Sequence, residues 1–181
     1  MPLGPAQVSA GSGDAAGLVD EQDRIIGPPA GAPARGWTIP STQWKRFPFS
    51  ADLDLGSLRP VSKLWFFDTE GTGGVVIACG GPGAWTPVAT NGCTQYRRWV
   101  AVPVDIETRH LRLTRLTPGA NFSEIAVYEY APEEWAAVKA RKAGEAKAAA
   151  ESAAALARGA EEMEKRPLVD LGPPFGRLPL I

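Results

Sequence analysis

The chain has 181 residues, and its 19 basic and 20 acidic side chains give a formal net charge of −1 at pH 7. This length accommodates one ordinary domain of roughly 100 to 150 residues with appendages. Balanced charge provides no field that attracts a polyanion, so nucleic-acid binding is not expected. No apolar run approaches the roughly 20 residues that a bilayer-spanning helix needs, so no membrane span is expected.

The first segment, residues 1–17, is dominated by Gly, Ala, Ser and Pro. Such residues bury too little apolar surface to offset the entropy of the chain, so we expect this segment to be disordered or draped over the domain. It also lacks the basic start and apolar middle of a secretory signal. Two interpretations follow: either the protein is not exported, or the sequence has been trimmed.

Residues 18–130 have the pattern of an all-β domain. They hold all but one of the tryptophans, and short apolar runs alternate with turn residues. Period-two alternation or β-branched, aromatic composition predicts strands at 51–55, 61–67, 75–79, 85–89, 96–104, 108–116 and 122–130. Seven or eight short strands without an intervening helical pattern predict an antiparallel β-sandwich.

After residue 130 the pattern becomes helical, and we expect an alanine-rich helix over 131–166. Pro132 suits a first helical turn, and the acidic residues after it complement the helix dipole. Few large apolar side chains follow, which favours a solvated spacer over a helix that packs against a partner protein. The four prolines of residues 167–181 predict an extended tail. Its apolar end suggests a cut from a longer protein or docking on a surface.

Cys79 and Cys93 are the only cysteines, and their spacing does not match a structural zinc site. A disulfide between them would close the loop 80–92 and would indicate an oxidising compartment. Two unpaired thiols are equally compatible with the sequence, because it does not reveal the Cα separation that a disulfide requires.

Six short motifs follow one another along the chain: Trp44, Asp52-Leu53-Asp54-Leu55-Gly56, Trp85, Tyr96-Arg97-Arg98-Trp99, the run 108–113 and the run 123–128. Motifs in this order resemble the discoidin family, also called the coagulation factor five/eight C-type domain, which includes many bacterial carbohydrate-binding modules. The resemblance covers 18–130 and implies a galactose-binding-like jelly-roll sandwich whose loops at one end hold the ligand. His110 and the turn 80–83 depart from the family pattern.

Sugar binding requires an exposed aromatic face with polar side chains nearby. The first candidate loop contains Trp37, Trp44 and Arg46, and the second contains Trp85, Asn91 and Tyr96. Packing in the core is the alternative for each tryptophan, because large aromatic side chains dominate small cores.

A calcium ion often stabilises modules of this family near the two ends of the domain. The resemblance places Asp20 and Glu129 there, with Asp23 close in sequence, and hard carboxylate oxygens suit the ion. The alternative is that these are ordinary surface carboxylates.

Enzymatic activity is not expected, because the chain lacks a G-x-S-x-G elbow and a phosphate-binding loop, and its single His110 has no nucleophile pattern around it. Asp52 and Asp54 share one strand face, whereas a glycosidase needs two carboxylates facing each other across a cleft. We therefore expect a non-catalytic carbohydrate-binding accessory module of a larger extracytoplasmic or secreted protein. The alternative is an assembly module that binds a partner protein through residues 132–181.

Overall fold

A computed structural model describes residues 2–20 and 29–164 of the chain. Its contacts divide the chain into a β unit that ends at Trp135 and a helical unit that begins at Ala136. The strands are β1 Val8–Ala10, β2 Phe49–Asp68, β3 Val75–Gly81, β4 Ala84–Asn91, β5 Arg98–Arg115 and β6 Phe122–Glu129; the helix α1 is Pro132–Glu164, and short 3₁₀ helices are Pro5–Gln7, Ala16–Leu18 and Ser41–Arg46.

Two long antiparallel strands, β2 and β5, run through both layers of the sandwich. Residues 49–54 of β2 pair with the last residues of β5, and residues 59–68 pair with its first residues. The register shifts between Asp54 and Arg59, where Gly56 has a φ of 80°. Such a bulge bends a strand sharply, so both strands pass from one layer to the other there.

All pairings in the sheet are antiparallel. One layer has the order β1-β2-β5-β3-β4, and in the other layer β6 pairs with the second half of β2. The predicted antiparallel sandwich is therefore confirmed, with one difference in the strand count. The predicted strands 51–55 and 61–67 form the single strand β2, and the predicted strands 96–104 and 108–116 form the single strand β5. The alternation of side chains is interrupted within each strand, but a β-bulge lets the hydrogen-bonded pairing of the backbone continue.

The core lies between the two layers and is filled by alternating side chains. Leu53, Ile77 and Leu111 from the first layer and Phe66 and Ile125 from the second have no solvent exposure. Full burial of such a side chain contributes roughly 1.5–3 kcal/mol. Buried and partly exposed side chains alternate along residues 50–55 of β2 and 110–115 of β5, as the period of two in a strand requires.

The N-terminal segment belongs to the β unit, so of the two expected states it lies on the domain and is not disordered, and the unit begins before residue 18. Val8 of β1 pairs with Leu53 of β2, and Leu3 is buried. The Nε2 of Gln7 also donates a hydrogen bond to the Asp54 carbonyl oxygen at 2.9 Å. The segment is rich in small and polar residues on average, but a few of its apolar side chains reach the core.

Both cysteines are free thiols. Asn91 pairs with Val75 at one end of β3, and Cys79 lies four residues further along that strand. Four residues of strand span roughly 13 Å, whereas a disulfide needs Cα atoms within about 7 Å. Cys93 follows Asn91 at the far end, so the strand geometry keeps the two thiols apart.

The alanine-rich helix is present as α1. Its first turn is attached to the β unit by Trp135, which is 9% exposed, stacks on Tyr130 with ring centroids 5.8 Å apart, and donates from Nε1 to Glu107 at 3.3 Å. Residues 139–164 are exposed along their whole length. In the part of the chain that the structure describes, no helix combines the length and apolarity needed to cross a membrane. The predicted tail 167–181 lies outside the described residues.

Candidate ligand-binding loops

Three loops and a 3₁₀ helix meet at one end of the sandwich, which we call the loop end: residues 69–74, 92–97 and 116–121, with Ser41–Arg46. Main-chain hydrogen bonds join the loops, from the Thr69 amide to the Asn121 carbonyl at 2.9 Å and from the Leu116 amide to the Gly74 carbonyl at 2.9 Å. The 3₁₀ helix precedes Phe49, which pairs with Arg115 at this same end. The loop end is thus a connected surface.

Asp68, the last residue of β2, joins two of these loops. It is fully buried, and its two carboxylate oxygens accept hydrogen bonds from the backbone amides of Gly71 and Gln95, each at 2.8 Å. A buried carboxylate needs such partners, because losing its hydration without them is costly. The side chain therefore sets the position of 69–74 relative to 92–97.

Tyr96 lies against Gly71 and is 62% exposed. Gly71 has a φ of +67°, and a Cβ built on it would lie 2.8 Å from both the backbone nitrogen and the Cβ of Tyr96. Real side chains do not approach so closely, so only glycine allows this contact. The result is an aromatic ring that faces solvent from a tightly supported backbone.

Arg115, the last residue of β5, fixes the other half of the loop end. It is 3% exposed and donates from Nη1 to the Trp37 carbonyl at 2.8 Å and from Nη2 to the Pro118 carbonyl at 3.2 Å. Its guanidinium also lies 5.4 Å from the ring centroid of Phe47. Burial lowers its pKa to about 10, which still leaves it charged at neutral pH.

Cys93 is buried beneath the loops, in the field of both charged side chains. Burial and then the Asp68 carboxylate raise the pKa of its thiol to about 11, and Arg115 acts in the opposite direction. The Asn91 side-chain oxygen accepts a hydrogen bond from the Cys93 amide at 2.9 Å. In this structure Asn91 therefore shapes the turn that leads into 92–97.

Trp37 is buried, which corrects its assignment to an exposed binding loop. Its ring has no solvent exposure, and its Nε1 donates to the Ser12 carbonyl at 2.9 Å. Because it fills the core under the loop end, no ligand can reach its face. No local pattern around Trp37 indicates that the N-terminal segment covers it.

Trp44 and Arg46 lie on the 3₁₀ helix of the loop end. Trp44 is 52% exposed, and its Nε1 donates to the Ile39 carbonyl at 3.3 Å, which restrains the ring. Arg46 is exposed at the end of the same helix. Arg97 is exposed directly after Tyr96, and the site prediction missed it although its run of Tyr-Arg-Arg-Trp is among the motifs of the family resemblance.

Trp85 lies at the opposite end of the sandwich, on the outer face of the first layer. It pairs with Gly80, which in turn pairs with His110. The Arg112 guanidinium lies 4.4 Å from its ring centroid. Of the six predicted ligand residues, the structure brings Trp44, Arg46, Asn91 and Tyr96 to one end, places Trp37 beneath them and separates Trp85 from them.

The predicted calcium ligands are carboxylates with arginine partners. Asp20 lies 3.6 Å from Arg35, and Glu129 lies 3.5 Å from Arg59. Within residues 2–20 and 29–164, no three His, Cys, Asp or Glu side chains converge on a point. These side chains do not by themselves form a calcium shell; Asp23 lies outside the described residues, and the ion stays a prediction.

Comparison with solved structures identifies the fold. A family 32 carbohydrate-binding module from Clostridium perfringens, solved with GalNAc-β-1,3-galactose, superposes with a TM-score of 0.53 at 13% identity over 67% of this chain and 93% of that chain. The family 32 module of C. perfringens NanJ, solved with galactose, gives a TM-score of 0.52 at 18% identity over 69% of this chain and 96% of that chain.

No family model matches the chain, and no curated protein sequence matches it. At these identities the likeness establishes the fold alone. The β unit has the discoidin-type, galactose-binding-like sandwich fold that the sequence motifs resemble.

Proposed function

We propose that the chain is a non-catalytic carbohydrate-binding accessory module that binds a glycan at the loop end. The observation that carries this proposal is the pair of solvent-facing rings there, Trp44 at 52% and Tyr96 at 62% exposure. An exposed aromatic ring suits the apolar face of a sugar. The likeness of the fold to glycan-binding modules supports the same conclusion.

The surroundings of these rings suit sugar hydroxyl groups. Arg46 and Arg97 are exposed and follow Trp44 and Tyr96 closely in the chain, and each guanidinium offers several hydrogen-bond donors. Asp68 and Arg115 hold the supporting loops in place before any ligand arrives, which reduces the entropy lost on binding. A shallow surface of this kind gives weak affinity for one sugar and gains strength through multivalency.

Isothermal titration with galactose and GalNAc-β-1,3-galactose, followed by a glycan array, tests the proposal. We expect Trp44→Ala and Tyr96→Ala each to weaken binding about tenfold, because each removes a stacking surface of roughly 1–1.5 kcal/mol. Leu58→Ala is the matched control, since Leu58 is 63% exposed but belongs to the bend between the layers. Absence of glycan binding on the array, or full affinity in both aromatic variants, would refute the proposal.

We also propose an extracytoplasmic location within a larger protein, because extended glycans are found mainly outside the cytoplasm. The free thiols neither require nor oppose this location. Fractionation of the native host with an antibody against the β unit would test it, and recovery of the protein only in the cytoplasm would count against it.

A second candidate function is binding of a partner protein through the helical unit. Leu156 and Met163 are 74% and 72% exposed, and their spacing of seven residues places them on one face of α1. Pull-down from the host with the full chain, with a chain lacking 136–181 and with Leu156→Glu tests this candidate. Loss of a specific complex in both variants, with glycan binding retained, would support it; equal capture by all three would exclude it.

A further inference from the structure

A second groove lies on the outer face of the first layer, at the end opposite the loop end. It has a volume of about 220 Å³. Its lining includes Asp52 and Asp54 of β2, Pro82 and Trp85 of the β3–β4 hairpin, His110 of β5 and the N-terminal residues 6–9. His110 is five residues along β5 from Arg115, a separation of roughly 16 Å. The groove therefore shares no residue with the loop end.

The carboxylates of this groove are neutralised in fixed geometry. Arg112 donates from Nε and Nη2 to the two oxygens of Asp52 at 2.6 and 2.7 Å. Arg109 donates in the same way to Asp54, at 2.8 Å for both bonds. Bidentate pairs of this kind fix the orientation of both side chains. Two negative and two positive groups leave no net charge, which disfavours an ionic ligand.

Trp85 supplies the aromatic wall of the groove. The Arg112 guanidinium covers one face of the indole, with its central carbon 4.4 Å from the ring centroid, and this contact restrains the orientation of the ring. The indole N–H donates no hydrogen bond to any residue that the structure describes, and the side chain is only partly buried. Indole N–H groups usually find a partner when a site closes over them, so this donor is available to a ligand.

His110 provides a second polar group on the same wall. Its Nδ1 lies 3.8 Å from the Asp54 carboxylate, beyond hydrogen-bond distance, and its side chain is 27% exposed. A Cβ added to Gly81 would lie 4.0 Å from Cδ2 of the imidazole, an ordinary contact distance, so the hairpin backbone lies beside the ring. An imidazole that lines the same groove as an indole N–H and ordered carboxylates can exchange hydrogen bonds with hydroxyl groups.

We propose that this groove is a second binding site for a single neutral sugar unit. The groove has no net charge, one aromatic side chain and several hydrogen-bond donors and acceptors in fixed positions. These properties match a sugar ring with several hydroxyl groups better than they match an ion or a lipid. The volume is below the roughly 300–1,000 Å³ of pockets for drug-sized molecules, which limits the occupant to about one ring. This inference rests on the groove's own residues and stands or falls independently of binding at the loop end.

Nuclear magnetic resonance of the ¹⁵N-labelled full chain tests the proposal, with galactose, glucose and N-acetylglucosamine as probes. The indole resonance of Trp85 is assigned from Trp85→Phe. We expect at least one probe to shift this resonance together with the amide of Ser9, along one saturable curve. Trp85→Ala should weaken that site about tenfold and leave titration of the Trp44 resonance unchanged. If no probe shifts the Trp85 resonance, the proposal is overturned.

Two further variants separate the second site from the first and from misfolding. In Trp44→Ala the Trp85 titration should persist, even if glycan binding at the loop end is lost or was never present. Trp85→Phe preserves an aromatic ring in the hairpin but removes the N–H donor together with the five-membered ring of the indole, so a folded protein with affinity lowered about threefold is expected. Unchanged affinity in folded Trp85→Phe and Trp85→Ala would overturn the proposal.

The charge balance is tested with galacturonic acid and with Asp54→Asn. The wild-type groove should bind the anionic sugar no more tightly than galactose. Asp54→Asn leaves Arg109 without its carboxylate, so preference should move toward galacturonic acid by severalfold. Tighter binding of galacturonic acid by the wild type would refute the assignment to neutral sugars.

Discussion

At the residue scale, Gly71 shows how one position supports an exposed aromatic ring. Its positive φ and the 2.8 Å approach of Tyr96 both require the absence of a side chain. Gly83 has a φ of +89°, but a Cβ added to it would meet nothing within 4 Å. Substitution of Gly83 therefore tests the cost of the backbone conformation alone, whereas substitution of Gly71 adds a steric clash. This pair therefore offers a controlled test.

We expect Gly71→Ala to lower the free energy of unfolding by about 2–4 kcal/mol and Gly83→Ala by only about 1 kcal/mol, since the latter adds only the cost of a left-handed alanine. Urea denaturation of both variants measures the difference. Gly71→Ala should also displace Tyr96 and weaken any glycan binding at the loop end. Equal destabilisation by the two substitutions would contradict the close contact.

Cys93 offers a pH-dependent test of the buried loop end. Its folded pKa of about 11 lies above the ordinary thiol value of 9.0, so the folded state holds the proton more tightly than the unfolded state. The resulting stabilisation is complete below pH 9 and is lost as pH rises toward 11. Unfolding free energies measured at about pH 8 and about pH 10.5 should differ, and Cys93→Ala should reduce the difference.

The same thiol should resist alkylation. In native protein at about pH 8, iodoacetamide should modify the partly exposed Cys79 and leave the buried Cys93 largely unmodified, because the thiolate is the reactive form. Mass spectrometry of tryptic peptides gives the ratio. Equal labelling of both thiols before unfolding would show that the 92–97 loop opens readily.

At the element scale, the two bent strands explain the position of the candidate site. Because β2 and β5 cross between layers together, the loops before and after them return to one end of the sandwich. Asp68 and Arg115 are the terminal residues of these strands, and their buried charges hold the neighbouring loops. The candidate site residues therefore lie outside the strands, but strand ends position them.

The helix α1 depends on Trp135 for its attachment. Truncation to Trp135→Ala removes a side chain that is 9% exposed and stacked on Tyr130, so we expect a loss of about 2–3 kcal/mol from the unfolding free energy of the β unit. Leu156→Ala is the matched control, because Leu156 is 74% exposed. Thermal and urea unfolding should distinguish them; an effect of similar size in both would contradict the anchor.

At the scale of the whole molecule, the β unit and the helical unit are expected to be energetically separate. Residues 139–164 are exposed along their length, so they contribute little to the stability of the sandwich. A chain that ends at Lys142 retains Trp135 and should keep the unfolding free energy of the β unit within about 0.5 kcal/mol of the full chain. A loss above about 1 kcal/mol would show that the units are coupled.

Two proposed sugar sites at opposite ends of one sandwich would let a single β unit contact two parts of a glycan surface. Each site alone would bind weakly, because each is shallow and offers few contacts. Simultaneous binding would raise the effective concentration at the second site once the first is occupied. Trp44→Ala and Trp85→Ala each remove one proposed site, so comparing glycan binding by the two variants distinguishes binding at two sites from binding at one.

The sequence by itself determined the sandwich class and the beginning of α1, because alternation, turn residues and helix propensity are local properties of the chain. It named Trp44 and Tyr96 as candidates on the same local grounds as Trp37 and Trp85, and those grounds do not separate an exposed ring from a buried one. Only the tertiary structure decided that Trp37 is buried, that the thiols are apart and that Trp85 belongs to another surface. These outcomes depend on which distant segments meet, and burial of Asp68 and Arg115 at strand ends leaves no periodic signal in the sequence.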